Sequence, residues 1–406
     1  MEQLFSLGDL YISDFLAEGQ EPRGEKVPLT LGIEESTGAV RLDRVPDAGL
    51  MYGKYWYRSG VNTTMQRELG HVVESCLESV KVSDGDIWLD IACNDGTLLK
   101  QVPSNMIKIG VDPADDSYAF ESRQYSDLII QDYFSKEKFT SSKFGDRKAK
   151  VVTVIAMFYD IDEPLKFLRD VYDVMEEEGL FVLQMSYTPL MLKQLAFDNI
   201  CHEHIYYYNL LSIKGLLEKA GFCVVDCQLN DVNGGSFRVY ARKATADVRQ
   251  FRSSPFRDVA NYRVDAILAM EKADEMDTAK PYMEFWKQIN ELKDETVAFI
   301  QHAKTQGKSI WGYGASTKGN TLLQWFDIDS SLIDGIAERS PYKYGHRTVG
   351  TNIPIYSEDE MRAANPDYLL VLPWHFINEF VQREKDYLSG GGKFIVPCPK
   401  FEVIGG

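Results

Sequence analysis

The sequence predicts an α/β protein with two open, largely parallel sheets and a small β-rich module in front of them. Three observations carry this. Apolar strands alternate with helical stretches from IWLDIAC at residue 87 to RVYARK at 243. A second alternation of the same kind runs from Lys308 to the C-terminus. Between them lies a charged, helix-favouring stretch with no strand signal. Strand and helix in alternation imply parallel sheets covered on both faces.

Residues 1–62 are rich in turn formers (Gly8, Gly19, Gly24, Pro28, Gly32, Gly38) between short apolar runs, and read as an irregular β-type module. Residues 63–245 form the first α/β unit. A helix is expected from Thr63, with Met65, Leu69, Val72, Val73 and Leu77 on one face. IWLDIAC, IKIGVDP, DLIIQDY, VVTVIAMFYD and GLFVLQMSY then read as five strands, with helices at NDGTLLKQV and EPLKFLRDVYDVM. CVVDCQLNDVNGGSFRVYARK adds two more strands closing the sheet. Residues 246–305 read as bridging helices, and residues 306–406 as the second α/β unit, opening with KSIWGYG and a helix at ASTKGNTLL.

Composition narrows the function. Hydrophobic residues make up 44% and aromatic residues 12% of the 406, enough to build cores and too much for a disordered chain. A net charge of −17 is the wrong sign for a nucleic-acid backbone or an anionic membrane surface. No apolar run approaches the ~20 residues of a membrane span, and the N-terminus lacks the basic-then-apolar pattern of a signal peptide. The six cysteines are scattered, matching neither a disulfide framework nor a zinc knuckle, so a cytoplasmic protein with reduced thiols and no metal is expected.

LDIACNDGTLL runs strand, tight turn, helix, leaving backbone N–H groups open at a helix start. Asp90 ends the strand, and Gly96 allows close backbone approach. Asp112 ends the second strand, where an acid can accept from ribose hydroxyls, and Asp132 ends the third. Ala92 and Asn94 occupy the first two glycine positions of a dinucleotide fingerprint, so that motif is absent. A wide turn with acids after three strands suits an adenosine without a pyrophosphate, and S-adenosylmethionine fits. Pro113, Tyr133, Ala156 and Met157, beside those strand ends, complete the expected cofactor wall. The competing reading is a structural turn with surface acids.

The stretch FDNICHEHIYYYN gathers His202, Glu203 and His204, two of only six histidines. A metal clamp would need other spacing or further ligands. A loop tied down by its own hydrogen bonds and a proton-transfer site remain. In extended chain both histidines point one way and Glu203 the other; on a helix the two rings would stand ~200° apart. Imidazole is the usual base near neutral pH. Among Tyr206, Tyr207 and Tyr208, Tyr207 is taken as the candidate donor, although core packing on alternate sides is the plainer reading of the run. In the last unit, GYGASTKGN offers Gly314 and Lys318 to a phosphate at a helix start. Its third glycine falls two residues late for NAD, and a purely structural brace is the plainer alternative.

Four stretches, YGKYWYRSGVNTTM, LDIACNDGTLL, FDNICHEHIYYY with NGGSFRVY, and GYGASTKGNTLL, resemble in order the sugar C-methyltransferases of nucleotide-deoxysugar pathways. The resemblance spans residues 50 to 400. It implies a class I methyltransferase Rossmann-like core between a small N-terminal module and a second Rossmann-like domain, with S-adenosylmethionine as cofactor. It implies that Tyr57 and Arg58 reach over the cofactor and that His204 is the general base beside Glu203. It further implies that His202, Asn233, Gly235, Ser236 and Arg238 lie near the substrate, a β-bulge with a surface arginine being the alternative for NGGSFRVY. The expected reaction is methylation of a carbon next to the carbonyl of a nucleotide-linked keto-deoxysugar. Its rivals are O- or N-methylation of a small metabolite, or a non-catalytic sugar-nucleotide binder. The chain departs from the family in three places. The N-terminal zinc cysteines are missing, Cys201 replaces a tyrosine, and Met157 to Asp160 replace a segment carrying an asparagine and a histidine.

Overall fold

The protein is described as a computed structural model that covers every residue except 35–37, 53–55, 248–253 and 406. Part of the expected YGKYWYRSG match and the start of the 246–305 stretch therefore lie outside the described residues.

The seven strands expected of the first unit form one sheet. Its order from one edge is Phe222–Asn230, Ser236–Lys243, Met175–Ser186, Ala149–Ile155, Ile87–Ile91, Ile107–Val111, Leu128–Ile130. The last five of these pair in parallel, and the Ser236–Lys243 strand pairs antiparallel with both of its neighbours. Ile87–Ile91 is buried along its whole length, as a central strand covered on both faces must be. The Thr63–Ser79 helix buries Met65, Leu69, Val72 and Val73 as its periodicity predicts, and Asn62 caps it by accepting from Thr64 and Met65. In such sheets the crevice beyond the carboxyl ends of the parallel strands is where ligands bind.

The second unit is a six-stranded sheet, Ile355–Ser357, Ile336–Glu338, Ile310–Tyr313, Tyr368–Val371, Lys393–Val396 and Glu402–Ile404, parallel except for its last strand. The helices Ser254–Ala273 and Lys280–Thr305 bridge the two units.

The N-terminal module is knitted into both. Glu2–Leu10, Val27–Ile33 and Val40–Leu42 make an antiparallel sheet whose fourth strand is Tyr206–Tyr207, directly after the HEH stretch. Phe15–Leu16 pairs with Arg347–Thr348 of the C-terminal unit. Leu4, Phe5, Leu31, Phe197, Ile289, Leu322 and Leu370, from all of these regions, share one apolar cluster.

Candidate active site

The turn after Ile87–Ile91 decides the first pocket. Ala92, Asn94 and Gly96 have φ of 61°, 50° and 79°, so two non-glycine residues adopt the left-handed conformation that glycine usually supplies. Strain of this kind persists only where surrounding contacts hold it. Here Asp112 does: its carboxylate accepts from the backbone N–H of Asn94 and of Ala114, each at 2.8 Å. Gly96 is required by packing, because a Cβ there would lie 2.8 Å from Ser122 Cα.

These strand ends open onto a cavity of about 390 Å³, lined among others by Asp90, Ala92, Asn94, Asp112, Pro113 and Met157. Tyr57, Asp132, Tyr133 and Ala156 line it as well. The volume lies in the range of small-molecule sites. The strap carrying Tyr57 is sewn to the turn: Asn94 Nδ2 donates to the Tyr57 carbonyl at 3.0 Å, and Ser59 N donates to Asn94 Oδ1 at 3.1 Å. Arg58 turns away from the cavity, pairing with Glu121 at 2.7 Å and stacking 3.9 Å over Tyr118. It braces the strap.

The donor set suits S-adenosylmethionine. Asp90, Asp112 and Asp132 favour its positive charges, and Leu98, Phe134, Ala156 and Met157 offer apolar surface to adenine. Burial holds the Asp90 carboxyl up at about 7, against an opposing hydrogen bond from Thr153 at 2.7 Å. The Asp132 carboxyl is held low by its bond from Lys138.

The HEH stretch is a turn, not extended chain, so the two rings diverge. The His204 N–H reaches back to the Cys201 carbonyl at 3.2 Å and closes it. His202 Nε2 lies 3.0 Å from the Val27 carbonyl and serves to pin the N-terminal module. His204 is sealed in the opposite direction, its Nδ1 2.8 Å from the Asn199 carbonyl. A carbonyl only accepts, so Nδ1 carries the hydrogen and Nε2 keeps a lone pair. Burial, helped by the Lys318 charge, drops the imidazole to about 3, so it is neutral at physiological pH.

His204 does not line the large cavity. With Tyr159, Asn199 and Tyr207 it lines a small adjoining void. The next residues in the chain lie on the other side: Ile205, which follows His204, and Asp160, which follows Tyr159, both line the large cavity. The Tyr159 and His204 rings lie 4.2 Å apart between centroids. Burial raises the Glu203 carboxyl and holds the Cys201 thiol well above its usual range, and Lys318, arriving from the C-terminal unit, donates to Asn199 Oδ1. Asp160, which sequence reasoning set aside as filling a departure, belongs to this cluster. Its visible signal was its place just past the fourth parallel strand, four residues after Ala156.

None of the described NGGSFRVY residues lines either cavity, although Ser236 pairs with Ser186, which lines the small void with His204. Arg238, 1% exposed, is consumed inside the core by Glu68 at 2.6 Å and Gln184 at 2.7 Å. Ser236 donates to the Val232 carbonyl at 2.9 Å. Gly235 has φ of 115°, and a Cβ there would sit 2.9 Å from Leu190. Gly314 packs likewise, where a Cβ would meet Pro373 at 2.6 Å. The side chain of Asn233 lies outside the described residues. Among the described residues no group of three or more His, Cys, Asp or Glu is placed to hold a metal. No described helix is long and apolar enough to cross a membrane.

Residues 61–226 match a family described as "Methyltransferase domain", and residues 231–399 one described as "C-methyltransferase C-terminal domain". The two matches follow one another along the chain, which is an S-adenosylmethionine-dependent methyltransferase similar to C-methyltransferases. A curated relative, C-methyltransferase NovU of Streptomyces niveus, is 28% identical over 397 residues, covering 96% of this chain and 91% of that one. Among solved structures, a complex of the Trm112 methyltransferase activator with a methyltransferase from Haloferax volcanii aligns at 15% identity and TM-score 0.37, covering 45% of this chain and 94% of that one. An S-adenosylmethionine-dependent methyltransferase from Clostridium acetobutylicum aligns at 15% identity and TM-score 0.35, covering 44% and 92%. The matched methyltransferase domain makes S-adenosylmethionine the cofactor, and the order and directions of the seven-stranded sheet are those of a class I methyltransferase core.

Proposed function

We propose that this methyltransferase methylates a carbon next to the carbonyl of a nucleotide-linked keto-deoxysugar, with His204 as the general base. The observation that carries the reading is the neutral His204 ring, with Nδ1–H committed to Asn199 and Nε2 free to accept, next in the chain to Ile205 of the cofactor cavity wall. Bound cofactor supplies an electrophilic methyl group, and carbon becomes nucleophilic only as an enolate. Something must therefore take the α-proton. An imidazole kept neutral by burial has its lone pair available, and its affinity for a proton rises as negative charge develops on the adjacent enolate. Asn199 orients the ring, and the Lys318 charge favours the anionic state of the substrate. Asp90 and Asp112 hold the cofactor's positive and hydroxyl groups, while Tyr57 covers it. Lys318 and Tyr207 lie on the substrate side in this reading.

The test is proton exchange in deuterated water with a 4-ketosugar nucleotide and no methyl donor, followed by methyl transfer across a panel of nucleotide sugars. Exchange at the α-carbon and methyl on that same carbon are expected. Methyl found on oxygen or nitrogen without exchange would overturn the reading.

A further inference from the structure

An enolate needs a partner for its oxygen as well as a base for its proton, and one group in the cavity wall is left over. Asp160 lines the cofactor cavity. Its Oδ1 is buried without a hydrogen-bond partner among the described residues, although buried polar atoms are nearly always paired. Two charged groups act on it: Glu203 opposes ionisation of Asp160, and Lys318 favours it but is engaged with Asn199 Oδ1. Cys201 and Tyr207, also facing it, are both held neutral by burial. Burial prevails, and the Asp160 carboxyl lies well above the usual carboxylate range.

We propose, resting on the keto-sugar reading above, that Asp160, with its unpartnered Oδ1 in the cavity wall, is a catalytic residue that donates a hydrogen bond to the substrate's carbonyl oxygen. A carboxylic acid kept neutral in an apolar site is a competent donor to an oxyanion. As the α C–H bond breaks, the proton passes to His204 Nε2 and its electron pair forms the carbon–carbon double bond. The carbonyl π pair moves to oxygen, where the Asp160 O–H meets it without giving up its proton. The oxygen pair then reforms the carbonyl while the carbon–carbon π pair attacks the methyl group; the new C–C bond forms as the methyl's bond to the sulfonium sulfur breaks, that pair staying on sulfur as S-adenosylhomocysteine leaves.

Asparagine can donate the same hydrogen bond and cannot act as a base, so Asp160→Asn and Asp160→Leu separate the possible roles. With urea unfolding of both variants matching the parent as the folding control, Asp160→Asn should keep α-proton exchange within about tenfold of the parent. Asp160→Leu should lose ~10²–10³-fold, the usual effect of removing one oxyanion donor. Infrared difference spectra should show a protonated-carboxyl band at pH 7 that disappears in Asp160→Asn. Equal loss in the two variants would make Asp160 a base and overturn the proposal, as would no loss in either or absence of the band. A parent protein that binds S-adenosylhomocysteine but exchanges no ketosugar proton would instead overturn the keto-sugar reading, with the band still reporting on Asp160.

Discussion

Lys318 of the C-terminal unit hydrogen-bonds Asn199 Oδ1 of the methyltransferase core. The main-chain carbonyl of that same asparagine holds the His204 ring. One residue thus couples the second α/β unit to the orientation of the imidazole. Lys318→Met should lower turnover ~10–100-fold while S-adenosylhomocysteine affinity stays within a few-fold, because the cofactor cavity is lined by the core. It should also raise the His204 pKa from about 3, since the Lys318 charge is one cause of the depression. Nitrogen NMR of the imidazole checks this, and unchanged turnover would remove Lys318 from the site.

His204→Asn should abolish α-proton exchange, a loss of at least ~10²-fold for a general base. Calorimetry with S-adenosylhomocysteine should give the parent affinity, because the ring lies outside the cofactor cavity. Exchange surviving in this variant would assign the base elsewhere.

Asp112→Ala removes the acceptor for two backbone N–H groups and frees the strained turn at Asn94. Affinity for S-adenosylhomocysteine should fall ~10–100-fold, or about 1.4–2.7 kcal/mol. Asp132→Ala, at an exposed carboxylate paired with Lys138, should cost less.

Asp90 makes stability pH-dependent. Its folded-state pKa, raised to about 7 by burial, lies above the ~3.9 of an unfolded aspartate. Between those values the folded protein keeps a proton that the unfolded chain has lost, so stability falls as pH rises from about 4 to about 7 and levels off above. Asp90→Asn removes this contribution. Its stability relative to the parent, from urea unfolding without cofactor, should grow by up to about 2–3 kcal/mol between pH 5 and pH 8. An identical difference at both pH values would contradict the assignment.

Glu68→Ala strands the buried Arg238 guanidinium. Removing one partner of a buried pair costs about 3–5 kcal/mol, to be read from urea unfolding. The KM for substrate should not change, because Arg238 does not line the cavity.

Strand and helix identities in both α/β units were legible because periodicity is a local property: each strand of the core sheet lies where its apolar run predicts. The cofactor acids were legible for the same reason, since strand ends of a parallel sheet converge on one crevice. Local pattern could not reveal how the HEH turn divides its rings. His202 faces Val27, 175 residues away, and His204 shares a cluster with Lys318 from the far unit. Nor could it show that Arg238 would be taken by Glu68, or that Asp160 would be left with an unpartnered oxygen in the cavity wall. Burial and partner choice arise when distant segments pack together, and in a low-dielectric interior those contacts decide which charged group is neutral, which is paired and which can react.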